Sequence, residues 1–503
     1  MRRGTGGRGD RGTGAPTRGL VLLVLSVPLS LGPAVPLSAQ QPAPRSARTC
    51  VIHVDSAPGG TQIHKQPDGT QNVFSGGGVW ARCLDEPTTI TADSMAYTEA
   101  SGVLQFIGHV HFRDSTALLD ADRATYWIRQ ERLHAEGNVY TRNLASGSEL
   151  RGPNLDYARA VPPIRDTLEI LATGRPTIFL HEERDSLHEG GAAEPFVIRA
   201  DRARMRGQHT MWGSGNVTID RSDLAARGDS AFLNLADSFG VLIGAPVVTA
   251  KDTTPGRDSV SYRLVGQRIR FEMTGARQIR RVLAMGDADA RGPDWRLVAD
   301  TLDLALDSSR IQRAQAWGRN ERPVAHSDLS TIVADSLDIR MPGQVMDLVL
   351  AYGHARATSR PDATETDDDW LDGDSLRARF EATDSAGRRR SEIRQVVAFG
   401  ERAAPARAYY HVANDRDGTG PRGINYSRGR RINIAMRERK VRTVDIVGQV
   451  DGVYLEPLPP GWDTIAVDTT RQGTGSRGQV PGTPPPAPGT RPPAPVRPGG
   501  RPR

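Results

Sequence analysis

The side chains with chemical potential are few. His109 and His111 stand two apart, so in an extended chain both point to one face, where two imidazoles could share a metal ion. Carboxylates recur at Asp93, Asp122, Asp201, Asp300, Asp335 and Asp374, and any two that converged could act as an acid–base pair. Phe74-Ser-Gly-Gly-Gly-Val79 offers the glycines of a phosphate-cradling loop, and Cys50 and Cys83 are the only thiols of the chain.

Each of these has a plainer reading. Histidines exposed on a strand are usually solvated. The carboxylates each open the same short motif, which points to hydrogen bonds that cap a bend rather than to acid–base pairs. The glycine run lacks the lysine and helix of a phosphate loop. No Ser/His/Asp set sits in a nucleophile elbow. We therefore expect no catalytic residue, no metal, no cofactor and no enzyme. Two cysteines in an oxidising compartment often pair, and closing a loop of this size contributes roughly 3–4 kcal/mol. Two unpaired thiols are the other reading; two cysteines alone do not make a metal site.

The carboxylates are carried by a repeat. Ile90-Thr-Ala-Asp93-Ser-Met-Ala-Tyr97 is followed by Leu104-Gln-Phe-Ile-Gly108-His-Val-His-Phe112, and the pair returns as Leu119-Asp-Ala-Asp122-Arg-Ala-Thr-Tyr126 with Leu133-His-Ala-Glu-Gly137-Asn-Val-Tyr-Thr141. The series of Asp-type positions continues through Asn154, Asp201, Asp229, Gln267, Asp300, Asp335 and Asp374 to a poor last match at Arg430. Glycines alternate with them at 108, 137, 174, 215, 244, 286, 318, 353, 400 and 448. Strict apolar alternation is the period of half-buried strands. Around each glycine the apolar residues keep one parity, as in Leu104, Phe106, Val110 and Phe112. At Ala-Asp the parity switches: Ile332 and Ala334 precede Asp335, whereas Leu337 and Ile339 follow it. A switch of parity needs a bulge or corner, so we expect a bend at each Asp facing a glycine on the partner strand. Ten such copies predict an all-β chain of repeated hairpins with one continuous core closed as two facing antiparallel sheets. Inward alanine, methionine, valine and threonine suggest room for a groove.

Composition divides the 503 residues further. The leader 1–39 carries +4, with arginines ahead of Leu20-Val-Leu-Leu-Val-Leu25 and a small residue at Ala39, and reads as a cleaved export signal. The tail from Thr470 carries +6, so a total of +6 leaves −4 for the body, and nucleic-acid binding loses its support. Residues 40–84 read as a linker with a strand pair that the cysteines could staple. Two runs of repeats follow, 85–250 and 251–457, forming one jellyroll or two. The Pro/Gly/Arg-rich tail 458–503 reads as disordered.

Ala121-Asp122 with Gly137-Asn138-Val139, and Ala200-Asp201 with Gly215-Asn216-Val217, carry a motif of Ala-Asp-x-apolar-x-apolar followed by apolar-x-Gly-Asn-Val. This resembles the OstA-like (organic solvent tolerance N-terminal) domain family over roughly residues 85–455. That family includes the periplasmic lipopolysaccharide bridge LptA and the N-terminal domain of the translocon LptD. The resemblance implies a β-jellyroll whose apolar interior holds lipopolysaccharide or another acyl lipid. It also implies a periplasmic location, near the outer membrane, and partners of the same transport system, or further copies of the chain, joined edge strand to edge strand. On this reading the lipid-facing residues are Leu104, Phe106, Val110, Phe112, Tyr126, Ile128, Leu133 and Val139. The competing expectation is a structural or adhesive β-array of the cell envelope with a filled core. The basic tail has no counterpart in the family pattern, and no run of amphipathic strands for a membrane barrel follows the repeats.

Overall fold

The structure, a computed structural model, describes residues 52–84, 87–162, 164–181, 194–207, 209–251, 260–274, 278–327, 330–360, 367–385, 388–401, 404–413, 422–437 and 440–457. Every described residue lies in one compact unit. The leader 1–39, Cys50 and the tail 458–503 lie outside the described residues.

The described residues are all-β: thirty-two antiparallel strands with two short 3-10 turns, Ile128–Gln130 and Pro342–Gln344. Consecutive strands pair as hairpins, and the corner explains how one strand can serve two sheets. Thr89–Thr98 carries Asp93 and pairs with Val103–Arg113, which carries Gly108. On one side of the corner Thr91 faces His111; on the other Ser94 faces Ile107. Three steps on the aspartate strand therefore match four on the glycine strand, which is why apolar parity switches on the first and persists on the second. Asp120 facing Tyr140 and Arg123 facing Glu136 repeat the pattern at Asp122 and Gly137. The extra residue is absorbed by two successive left-handed residues, Gly108 with His109 (φ 76° and 43°) and Gly137 with Asn138 (φ 78° and 47°). Gly108 meets its requirement twice over, since a Cβ there would also lie 2.1 Å from Asp93 Oδ2.

Strand halves beyond the corner, such as Val110–Arg113 against Leu118–Ala121, build a first sheet. Halves before it, such as Val103–Ile107 against Arg123–Trp127, build a second. Both turn their buried side chains to one core, where Phe106 and Val110, on opposite sides of their corner, are wholly buried. In some later copies one strand is interrupted at the corner. Glu169–Thr173 pairs in the second sheet with Arg202–Arg206, while Thr177–Leu180 pairs in the first with Phe196–Arg199.

Two features were not legible beforehand. The segment before residue 85 is a further copy: Ile52–Ser56 and Thr61–Lys65 pair with the two halves of Gln71–Cys83, which in turn pairs with Thr89–Thr98. Its corner uses Pro58-Gly59-Gly60 in place of Ala-Asp, and the Gly59 amide donates to the Gly76 carbonyl at 2.9 Å. The ladder also runs on through residue 251, since Val247–Lys251 pairs with Val260–Val265 and Phe239–Ile243 with Arg268–Met273.

Candidate binding cleft

Leu104, Phe106, Val110, Tyr126, Leu133 and Val139 are buried, and Phe112 and Ile128 pack partly buried against the same core. Ile128 opens the 3-10 turn Ile128–Gln130 rather than continuing a strand. Tyr126 is not purely apolar lining. Its hydroxyl donates to Oε2 of the buried Glu131, and Arg159 Nη1 lies 3.9 Å from that oxygen. A buried carboxylate needs such partners to offset its desolvation.

None of these eight residues faces the open space. That space is a cleft of about 410 Å³ where strand ends of both sheets, far from their corners, stand apart. Leu150, Ile178 and Leu180 come from the first sheet and Ile170, Met205 and Met211 from the second. Asp114, Thr116, Asn143, Glu149 and Arg159 make a polar rim. An apolar floor under a polar rim, at this volume, is what a site for a small amphiphile needs. Deeper in the core, among Leu233, Leu242, Val248 and Phe271, the free space falls to about 20 Å³, room for about one water-sized sphere. The small inward side chains Ala135, Ala172, Ala284 and Ala316 are completely buried. Sequence alternation marks Ile170, Ile178 and Leu180 as inward, but nothing in it tells which inward residues meet open space.

Beyond the cleft the lips are tied. Ser309 Oγ, in the turn after Trp295–Asp307 of the second sheet, donates to Asp223 Oδ2 in the turn before Leu224–Asn234 of the first. Arg221 Nε reaches the other Asp223 oxygen at 2.6 Å. Burial pushes the Asp223 carboxyl up, but the Arg221 and Ser309 hydrogen bonds and the arginine charge outweigh it and hold the group below the usual carboxylate range. Burial also raises the nearby Tyr262 phenol, with the Asp223 charge adding to the effect.

The recurrent carboxylates serve their corners. Asp93 Oδ2 pairs with His109 Nδ1 at 2.9 Å and Asp335 Oδ2 with His354 Nδ1 at 3.0 Å. Asn138 and Asn216 donate from Nδ2 to Asp122 and Asp201 at 2.9 and 2.8 Å. Asp300 accepts the amides of Arg319 and Asn320 at 2.7 and 3.0 Å. These are bend caps, each answering the polar residue or free amides of the bulge. His111 turns to Asp120 at 2.7 Å, not to His109. Among the described residues no group of three or more His, Cys, Asp and Glu stands where it could hold a metal ion. Cys83 is disulfide-bonded; Cys50, the chain's other cysteine, lies outside the described residues. Compared with models of known protein families and with curated proteins, the sequence matches none.

Proposed function

We propose that this protein is a lipid-binding bridge of the cell envelope that receives the acyl chains of lipopolysaccharide or a similar lipid in the cleft between its two sheets. The observation that carries this reading is the 410 Å³ opening with its floor of Leu150, Ile170, Ile178, Leu180, Met205 and Met211. Each methylene removed from water there contributes about 0.8 kcal/mol, and no catalytic group is needed. The polar rim would keep a headgroup in water. Export by the leader and a periplasmic site of action belong to the same proposal.

The ends of the ladder support a bridging role. Among the described residues, Ile52–Ser56 and Thr61–Lys65 at one end pair on one side only, and at the other end Lys440–Val447 and Asp451–Leu455 do the same. Ile63, Val447, Val453, Tyr454 and Leu455 are exposed there, an unusual apolar load for free edges. Such edges suit strand addition by another copy or by a partner of the same transport system.

The test is uptake of a fluorescent acyl probe, together with mass spectrometry of lipid that copurifies. Saturable uptake that fails when Ile170 and Met205 become aspartate supports the reading; a folded protein without uptake or copurifying lipid overturns it. The tightly filled interior around Leu242 favours the second reading, a structural β-array, and that outcome would select it.

A further inference from the structure

Trp317, Tyr352 and Phe399 each stand before a corner glycine and point to the outer face of the second sheet, because the alanines before them, Ala316, Ala351 and Ala398, are completely buried. They lie in one row across the ladder. Thr301 faces Trp317, Trp317 faces Ser336, Ser336 faces Tyr352, Tyr352 faces Ser375 and Ser375 faces Phe399. The three aromatic residues are between 39% and 49% exposed. On the other sheet Trp370 stacks on Tyr409 and lies under Arg356; the rings of Trp317, Tyr352 and Phe399 meet no other ring or guanidinium among the described residues. Neighbouring strands lie about 4.8 Å apart, so these rings recur about every 9.6 Å. Earlier in the ladder the same row holds Glu136, Thr173 and Ser214, so the aromatic run belongs to the later copies alone.

Two carboxylates flank the row. Asp300 adjoins Thr301 and accepts the amides of Arg319 and Asn320; Asp374 adjoins Ser375 and accepts the amide of Glu401. Amides carry no charge, and among the described residues no cation pairs with either carboxylate. Four strand steps separate them, about 19 Å. The basic tail contains Arg491-Pro-Pro-Ala-Pro-Val-Arg497-Pro498. Polyproline II rises about 3.1 Å per residue with three residues per turn, so one turn takes about 9.3 Å, and two arginines six residues apart share an edge at about 19 Å. Both lengths match the row. We propose that this segment of the chain's own tail docks on the row as a polyproline II helix, with Pro492 and Pro495 over Trp317 and Tyr352 and with Arg491 and Arg497 on Asp300 and Asp374, in either direction. Aromatic surfaces suit proline rings, and the hydroxyls of Thr301, Ser336 and Ser375 can donate to carbonyls that polyproline II leaves unpaired. The carboxylates answer the charge of the arginines. Reach is sufficient: Val447, before the last described strand, lies six strand steps or about 29 Å from Trp317, and the chain between Pro457 and Arg491 can span up to about 110 Å. Tethering favours the chain's own tail over that of another copy. The proposal does not rest on acyl binding, whose cleft opens between the sheets and not on this outer face.

Photocrosslinking of the full chain at low salt tests it, with benzoylphenylalanine in place of Tyr352 and an equal mixture of isotope-labelled and unlabelled copies. Irradiation and peptide mass spectrometry should join position 352 to residues 491–498 of the same copy. The same probe in place of Ile107, in the corresponding row of an early copy, should give at least tenfold less of that product. Arg491→Glu with Arg497→Glu, and separately Pro492→Gly with Pro495→Gly, should each lower the yield from position 352 at least tenfold. These substitutions lie outside the strands, and an unchanged melting temperature confirms the fold. Products that join the two isotopic forms at random, products that fall elsewhere than residues 491–498, or a yield indifferent to both tail variants overturns the proposal.

Discussion

Ser309 Oγ donates to Asp223 Oδ2 at 2.5 Å, joining turns that are 86 residues apart in the chain and belong to different sheets. Both turns lie at strand ends remote from the corners, so this contact ties one sheet to the other there. Asp223 is held in place for this contact by Arg221, which donates to both of its oxygens. Asp223→Ala should cost about 2 kcal/mol and Ser309→Ala about 1 kcal/mol in denaturant unfolding. A cost of zero for both would show that the lips are held by the core alone.

The same carboxylate sets a pH dependence. Its folded-state pKa is depressed, so its contribution is fully present above the unfolded value of about 3.9 and is lost as pH falls through the lower folded value. The parent protein should therefore lose stability below about pH 4, and the Asp223→Ala variant should lose less over the same interval. Parallel curves for the two proteins would remove Asp223 from the account.

His109 behaves in the opposite sense. The hydrogen bond that His109 donates to Asp93, with that carboxylate's charge, raises the imidazole pKa, so the contribution is present below the ordinary value and lost as pH rises through the raised one. NMR titration should show the His109 value falling in Asp93→Asn. His109→Asn should fold normally and lose this titration, because Asn138 and Asn216 cap the equivalent corners. An unchanged His109 titration in Asp93→Asn would contradict the pairing.

The corner glycines make a sharper demand. At Gly137, φ is 78° and an added Cβ would lie 2.4 Å from Asp122 Oδ2. Gly137→Ala should cost about 1–3 kcal/mol. Removing the carboxylate as well, in Asp122→Ala with Gly137→Ala, relieves the clash but not the backbone strain, so the pair should cost less than the sum. Strict additivity, measured by thermal melting of the four proteins, would mean that the two residues do not meet.

This coupling was legible in the sequence, because alternation survives the glycine strand and switches on the aspartate strand. That difference of one residue is the bulge itself. The copy at 52–84 was hidden because Pro58-Gly59-Gly60 replaces the motif, although the chain there turns as the others do. The cleft floor was hidden for a different reason. Alternation reports which face a side chain takes, and Leu150 and Met211 take the same face as Phe106. Whether the opposite sheet fills the space above them depends on how strands far apart in the chain come together.

The distinction between core and cleft gives the most demanding test of lipid binding. Phe106 is wholly buried, so Phe106→Ala should cost about 3–5 kcal/mol and alter probe uptake only through that loss. Ile170 and Met205 line the cleft and are only partly buried, so aspartate at both can keep its charge in water beside the rim. The double variant should lose at least tenfold in acyl-probe affinity, while its melting temperature falls less than that of Phe106→Ala. His111→Ala, on the outer face, should leave uptake unchanged. If Phe106→Ala at a temperature where it remains folded abolished uptake while the cleft variant retained it, acyl chains would have to enter the interior near Phe106, and the floor of Leu150, Ile170 and Met211 would not be where they bind.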